Sequence, residues 1–189
     1  RADAARLAFY ADLVRAHDDP RDVFPAPDPS TAVEVVRDTP LPRVPAPGRL
    51  RTLRFRSPFV PLHPELRLPY LDHRRNRTAW AQHWTHGDRP RPTLVVVHGF
   101  MASPYWLNRA FFQLPWFFGH GYDILLVTLP FHGRRRDAPW HYSGEGLFAG
   151  GFAHLTEALA HALHDLRAWV DHLFATGAPR VGVTGLSLG

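Results

Sequence analysis

The last nine residues, Val181-Gly182-Val183-Thr184-Gly185-Leu186-Ser187-Leu188-Gly189, decide the fold. A short apolar strand, Arg180 to Leu186, runs straight into Gly-x-Ser-x-Gly. The five-residue pattern alone is weak, because Gly and Ser near 7% each produce one by chance in about one chain in twenty of this length. Directly after a strand it gains a physical meaning. A sharp strand-to-helix turn there lifts the Ser187 hydroxyl above the sheet, as a nucleophile elbow does. Such a turn strains the serine backbone by on the order of 1–3 kcal/mol. Side chains two residues to either side would crowd it, so Gly185 and Gly189 stand there. The alternative is an ordinary Gly-rich turn around a buried serine.

Upstream lies the clearest helix, Phe152 to Ala175. Leu155, Leu159, Leu163, Leu166, Val170 and Leu173 recur at intervals of three and four, which predicts one apolar stripe facing the core. His154, Glu157, His161, His164, Asp165 and His172 fall on the other side and are expected in solvent. His161 and His164 have the spacing of a zinc-binding pair, but no third ligand accompanies them, so no metal is expected. Gly177 and Pro179 end the helix.

Further upstream, Leu94-Val95-Val96-Val97 and Ile124-Leu125-Leu126-Val127 are continuous β-branched and aliphatic runs, the signature of parallel strands buried on both faces. Between them Pro104 to Phe118 reads as a helix opened by Ser103 and Pro104, with Pro115 kinking or ending it. Strand, helix, strand, helix, strand implies right-handed crossovers in an α/β layered domain. Arg51 to Arg56 and Thr78 to Trp84 read as earlier strands near one sheet edge, and Ala2 to His17 as a helix packed on the core. The zone from 19 to 92 holds 14 of the 19 prolines, which disfavours long helices and central strands there. Two regions are expected: 1–50, a helix with a Pro-rich extension, and 51–189, the layered domain.

Two loops follow the apolar strands. His98-Gly99-Phe100 comes directly after Val97, where acyl-transfer sites place a backbone donor for the developing oxyanion. Phe100 and Leu188 are the expected N–H donors. His98 is expected to brace this loop by a hydrogen bond rather than to act as a base, because the base follows the nucleophile in chain order. After the next strand, Leu129-Pro130-Phe131-His132-Gly133-Arg134-Arg135-Arg136 places Phe131 and His132 at a candidate pocket rim. Its arginines are expected in a solvated loop, or against a substrate anion. The irregular, Gly-rich stretch from Ala138 to Phe152, with Trp140, His141 and Tyr142, is expected to form a rim or partial cap.

Taken in order, strand–HGF, strand–LPFHGRRR, long helix, VGVTGLSLG resembles the α/β-hydrolase superfamily. More narrowly, it is similar to the α/β-hydrolase domain-containing 18 group and its bacterial relatives. The resemblance covers Thr78 to Gly189. It implies a partial α/β-hydrolase fold, a mostly parallel sheet flanked by helices, and a serine hydrolase acting on an ester, thioester or amide. Ser187 takes the nucleophile role, Phe100 and Leu188 the oxyanion hole. An acyltransferase on the same elbow and a non-catalytic binding scaffold are the alternatives. The triad acid and base of this superfamily come after the nucleophile, so the chain is expected to be the N-terminal part of a longer protein, inert alone.

Composition narrows the partners. All 22 basic residues are arginine and they are dispersed, so the net charge of +5 reads as genome composition rather than a nucleic-acid surface. The partner expected is a small acyl substrate, with no cofactor. Peripheral membrane contact has no pattern in its favour, and the oligomeric state is not legible. The absence of cysteine fits a reducing compartment and favours a cytoplasmic location.

Overall fold

A computed structural model describes residues 2–24, 26–41, 46–101, 104–137 and 141–189. The expected opening of a helix by Ser103, and Trp140 in the expected rim, lie outside the described residues. Six strands form one sheet: β1 (Glu34–Pro40), β2 (Arg49–Arg56), β3 (Thr78–Thr85), β4 (Thr93–Val97), β5 (Asp123–Thr128) and β6 (Val181–Gly185), in the order β1-β2-β3-β5-β4-β6. Helices are α1 (Ala2–Arg15), α2 (Pro20–Val23), α3 (Pro64–Leu71), α4 (Tyr105–Phe111), α5 (Leu114–Gly119), α6 (Glu145–Phe148) and α7 (Gly151–Ala175).

The fold is α/β, with the sheet flanked by helices. Its parallel part is β5-β4-β6, the three strands that the apolar runs predicted. β1, β2 and β3 pair antiparallel, and β3 joins β5 antiparallel, so the sheet is mixed rather than mostly parallel over this span. The antiparallel joins need only short connections, whereas each parallel join carries a helical crossover.

β4 and β5 are covered on both sides. Val95, Val97, Leu125 and Val127 face α7, packing with Leu53, Phe55 and Trp169. Val96, Ile124 and Leu126 face the opposite layer, where Leu114 and Phe118 of α5 close the core with Trp84. The predicted helix across 104–118 is in fact two. Gln113 breaks it at φ +49, and Pro115 occupies the first turn of α5, where its missing N–H costs nothing.

Two elements arise inside the Pro-rich zone. β1 is an edge strand, the position where a terminal Pro40 is tolerated. α3 begins with Pro64 after His63, whose ring accepts the Glu65 N–H. The expected boundary at residue 50 falls within β2, and the 34–40 segment belongs to the same sheet.

The largest departure from expectation is α7. Its polar face is buried: His154, Glu157, His161 and Asp165 are all under 9% exposed, while Leu159 and Leu163 of the apolar stripe are 44% and 40% exposed. The N-terminal 70 or so residues wrap this face and supply its partners. Glu157 accepts hydrogen bonds from Tyr10 Oη (2.6 Å), Leu62 N (2.8 Å) and His63 N (2.6 Å). A carboxylate with three donors can be buried where an unpaired one cannot. Trp169, Ala168 and Leu173 at the C-terminal end of the same helix do face the sheet, as a core stripe should.

Candidate active site

β4 and β6 are neighbours in parallel register, with Val97 opposite Gly185. The loop after β4 and the turn after β6 therefore leave the sheet side by side at the same end. Ser187 sits two residues beyond β6 with φ +57, a left-handed conformation that a non-glycine residue rarely adopts. The turn closes through Gly189 N–H to the Leu186 carbonyl at 3.0 Å, and the Ser187 side is open to solvent.

The glycines around it are required by contact. A Cβ on Gly185 would run into the backbone of Gly189, with the Gly189 oxygen at 2.7 Å. A Cβ on Gly189 would lie 2.9 Å from the Val97 carbonyl carbon. Gly99 lies against the turn itself, its Cβ position 3.1 Å from the Leu186 oxygen and 3.5 Å from Ser187 Cβ. The His98-Gly99-Phe100 loop and the serine turn are thus close neighbours. Among the described residues, neither the Phe100 nor the Leu188 N–H donates a hydrogen bond within the chain.

His98 is 1% exposed and both ring nitrogens are engaged. Nδ1 lies 2.8 Å from the Gly99 oxygen, and Nε2 accepts the Leu129 N–H at 3.2 Å. Burial pulls its pKa down to about 4, so the ring is neutral, with its proton on Nδ1. It ties the loop after β4 to the loop after β5.

Phe131 and His132, expected at a rim, are both completely buried. Phe131 has φ +62, and its N–H is held by Asn76 Oδ1 at 2.9 Å. His132 places Nδ1 2.8 Å from the Pro130 oxygen and packs edge-on against His98 (4.9 Å) and Phe100 (6.0 Å). The strap 141–148 covers them. Gly144 donates to the Phe131 oxygen at 3.0 Å, and at φ +94 its Cβ position would lie 2.7 Å from Phe100 Cε2. Tyr142 and Phe148 close edge-on around Phe100, at 6.2 and 5.2 Å. The rim is therefore made by Phe148, 51% exposed, and Tyr142, 44% exposed.

The arginine run splits three ways. Arg134 lies over the Trp80 ring at 4.8 Å, and Arg136 donates to the His141 carbonyl at 3.1 Å. Arg135 turns inward, 1% exposed, with Nη2 2.8 Å from Asp165 Oδ2. It also donates to the carbonyls of Asn76 and Thr128. Around this pair, His161 lies 3.1 Å from Tyr70 Oη and 3.0 Å from Ser57 Oγ. Burial would raise the Asp165 pKa, but the His161 ring and the Arg135 guanidinium beside it hold it well below the carboxylate norm.

Ser57, His161 and Asp165 make a second serine–histidine–aspartate constellation, which the sequence did not suggest. It is not a reactive one. Ser57 is 4% exposed, and its hydroxyl meets Asp165 Oδ1 directly at 2.5 Å. No group of three or more metal-ligating side chains occurs among the described residues. Among them, no helix is long and apolar enough to cross a membrane.

No family model matches the chain, and no curated protein does. Solved structures do. A candidate acetyl xylan esterase from Bacteroides fragilis is 16% identical with a TM-score of 0.56, matching 97% of this chain and 48% of its own. The fold is α/β-hydrolase-like. An acetyl xylan esterase from a Thermoanaerobacterium species (13% identity, TM-score 0.49, 85% of this chain and 46% of its own) is more distant. So is a cold-adapted esterase from an Arctic intertidal metagenomic library (16%, 0.49, 81% and 55%). The chain spans about half the length of these α/β-hydrolase-like structures.

Proposed function

We propose that this chain carries the nucleophile and oxyanion hole of a serine hydrolase that cleaves an acyl ester. The observation that supports it most directly is Ser187 at φ +57 on an exposed turn, with Gly99 so close that an added Cβ would lie 3.5 Å from Ser187 Cβ. A strained serine at the end of a parallel strand has a use in catalysis that a binding scaffold lacks. The esterase name of the Bacteroides fragilis fold neighbour agrees with an ester rather than an amide.

In this reading Ser187 Oγ attacks the acyl carbonyl carbon while its proton passes to a base. The carbonyl oxygen takes the negative charge and accepts the Phe100 and Leu188 N–H groups. Collapse of that intermediate expels the alcohol, which takes the proton, and leaves an acyl-serine that water hydrolyses by the same steps. Each N–H donor contributes about 3 kcal/mol to transition-state stabilisation. His98, neutral and doubly bonded, holds the Phe100 loop in place. In α/β-hydrolases the nucleophile precedes its acid and base in chain order, so none of the described histidines is given the role of base. Of the described histidines around the His98–Phe100 loop, His98 has both ring nitrogens engaged, and His132 is completely buried with Nδ1 on the Pro130 oxygen and Nε2 unpartnered.

The test is a pre-steady-state reaction of the intact protein with p-nitrophenyl acetate. A burst of about one p-nitrophenol per protein, with an acetyl group found on the 181–189 peptide, supports the reading. Turnover without a burst, unchanged in Ser187→Ala, overturns it.

A further inference from the structure

At the opposite end of the sheet from Ser187 there is a cleft of about 260 Å³ between the ends of β2 and β3, the 87–91 loop and the C-terminus of α7. Its floor is polar and its polar atoms are unpaired. His83 and Thr85, alternate residues on one face of β3, are 8% and 7% exposed, and His83 Nε2 and Thr85 Oγ1 have no hydrogen-bond partner. Two orphaned polar atoms side by side are uncommon in a native interior, where such groups are nearly always satisfied.

The walls are cationic. Arg51 lies opposite His83 in the β2–β3 register, and Arg89 and Arg91 enter from the loop. The carboxylates that share the cleft are already engaged: Asp88 with Arg91 Nη2 at 2.7 Å and the Arg89 N–H at 2.8 Å, Asp123 with His86 Nδ1 at 2.8 Å and its N–H at 3.1 Å. Arg51 uses Nε on Asp38 at 3.2 Å, which leaves its terminal nitrogens. Among the described residues the Arg89 guanidinium makes no ion pair. The end of α7 would oppose an anion with its carbonyls, but those of His172, Leu173 and Phe174 are capped by the amides of 176–178 and the Thr176 hydroxyl.

We propose that this cleft binds the phosphate group of a small molecule, with Arg51 and Arg89 as charge partners and Thr85 and His83 as hydrogen-bond partners. Arginines from the sheet and from the loop line the cleft together with a hydroxyl and an imidazole, so donors are available for several phosphate oxygens at once. The site is independent of any role for Ser187.

The experiment titrates the intact protein with inorganic phosphate, at ionic strength held constant with chloride, following the His83 ring resonances and the heat of binding. Saturable binding that shifts His83 and weakens about tenfold in both Arg51→Gln and Thr85→Val supports the site. Thr85→Val keeps the side-chain shape, so the fold survives even where Arg51→Gln perturbs β2. Acetate binding as tightly as phosphate overturns the assignment to a phosphate group. Shifts that do not saturate, or that persist unchanged in both variants, overturn the site and leave only water in the cleft.

Discussion

Gly99 and Ser187 face each other across two parallel strands with room for little more than a hydrogen between them: a methyl group on Gly99 would sit 3.5 Å from Ser187 Cβ and 3.1 Å from the Leu186 carbonyl oxygen. This closeness makes Gly99 a spacer between the loop whose amide would bind the oxyanion and the turn whose hydroxyl would attack. Gly99→Ala displaces the Leu186 carbonyl, and with it the turn that carries Ser187, by a few tenths of an ångström. Misplacement on that scale costs catalysis more than stability. The expected result is a fall in kcat of roughly tenfold to a hundredfold, with Tm shifted by only a few degrees. Steady-state kinetics beside a thermal melt measure both.

Gly185→Ala acts differently, because the added methyl meets backbone that cannot rotate away. The Gly189 oxygen would lie 2.7 Å from it. Overpacking of this kind costs about 1–3 kcal/mol. A urea midpoint lowered to match, with loss of activity, is expected; an unchanged midpoint would mean the turn is looser than described.

Arg135 and Asp165 form a buried pair linking the loop after β5 to α7. Removing one partner strands a charge in the interior, so Arg135→Met or Asp165→Leu alone should each cost about 3–5 kcal/mol. The double variant should cost clearly less than the sum. Equilibrium unfolding of all four proteins gives the coupling energy directly. Additive losses would show that the pair is not the partner set described.

Acid should weaken the fold through its buried histidines. His98 and His83 are buried and their pKa values are each pulled from 6.5 to about 4. Above pH 6.5 both are neutral whether folded or unfolded, and their full contribution is present. As pH falls from 6.5 towards 4 the unfolded chain takes up protons first, so stability declines, by up to about 3 kcal/mol for each ring. His98→Gln should be less stable at neutral pH and show a shallower decline over that window. Denaturant melts at half-unit pH steps measure this.

The elements that the sequence made legible are those whose signal is local. Leu94 to Val97, Ile124 to Val127 and the turn at Gly185 to Gly189 announce themselves by composition, and their spatial neighbourhood follows from right-handed crossovers. β1 and α3 were hidden by prolines that sit at an edge and in a first turn, where proline does no harm. The inverted face of α7 could not be read, because Glu157 is satisfied by Tyr10 and by the 62–63 amides, about 95 to 147 residues away. A polar stripe on a helix reports solvent or buried partners equally well, and only the wrapping N-terminal segment decides. The same holds for Arg135, which looked like one of three surface arginines. Of the candidate site, Ser187, Gly99 and the role of His98 could be argued from order along the chain. The burial of His132 beneath the 141–148 strap depends on Gly144 at φ +94, a conformation the sequence permits without requiring.

The most direct test of the catalytic reading is to treat the intact protein with a fluorophosphonate and map the adduct by mass spectrometry. One phosphonyl group on Ser187, abolished in Ser187→Ala while Ser57→Ala still labels, is the result this account predicts. An adduct on any other residue, or labelling that survives Ser187→Ala, would contradict it.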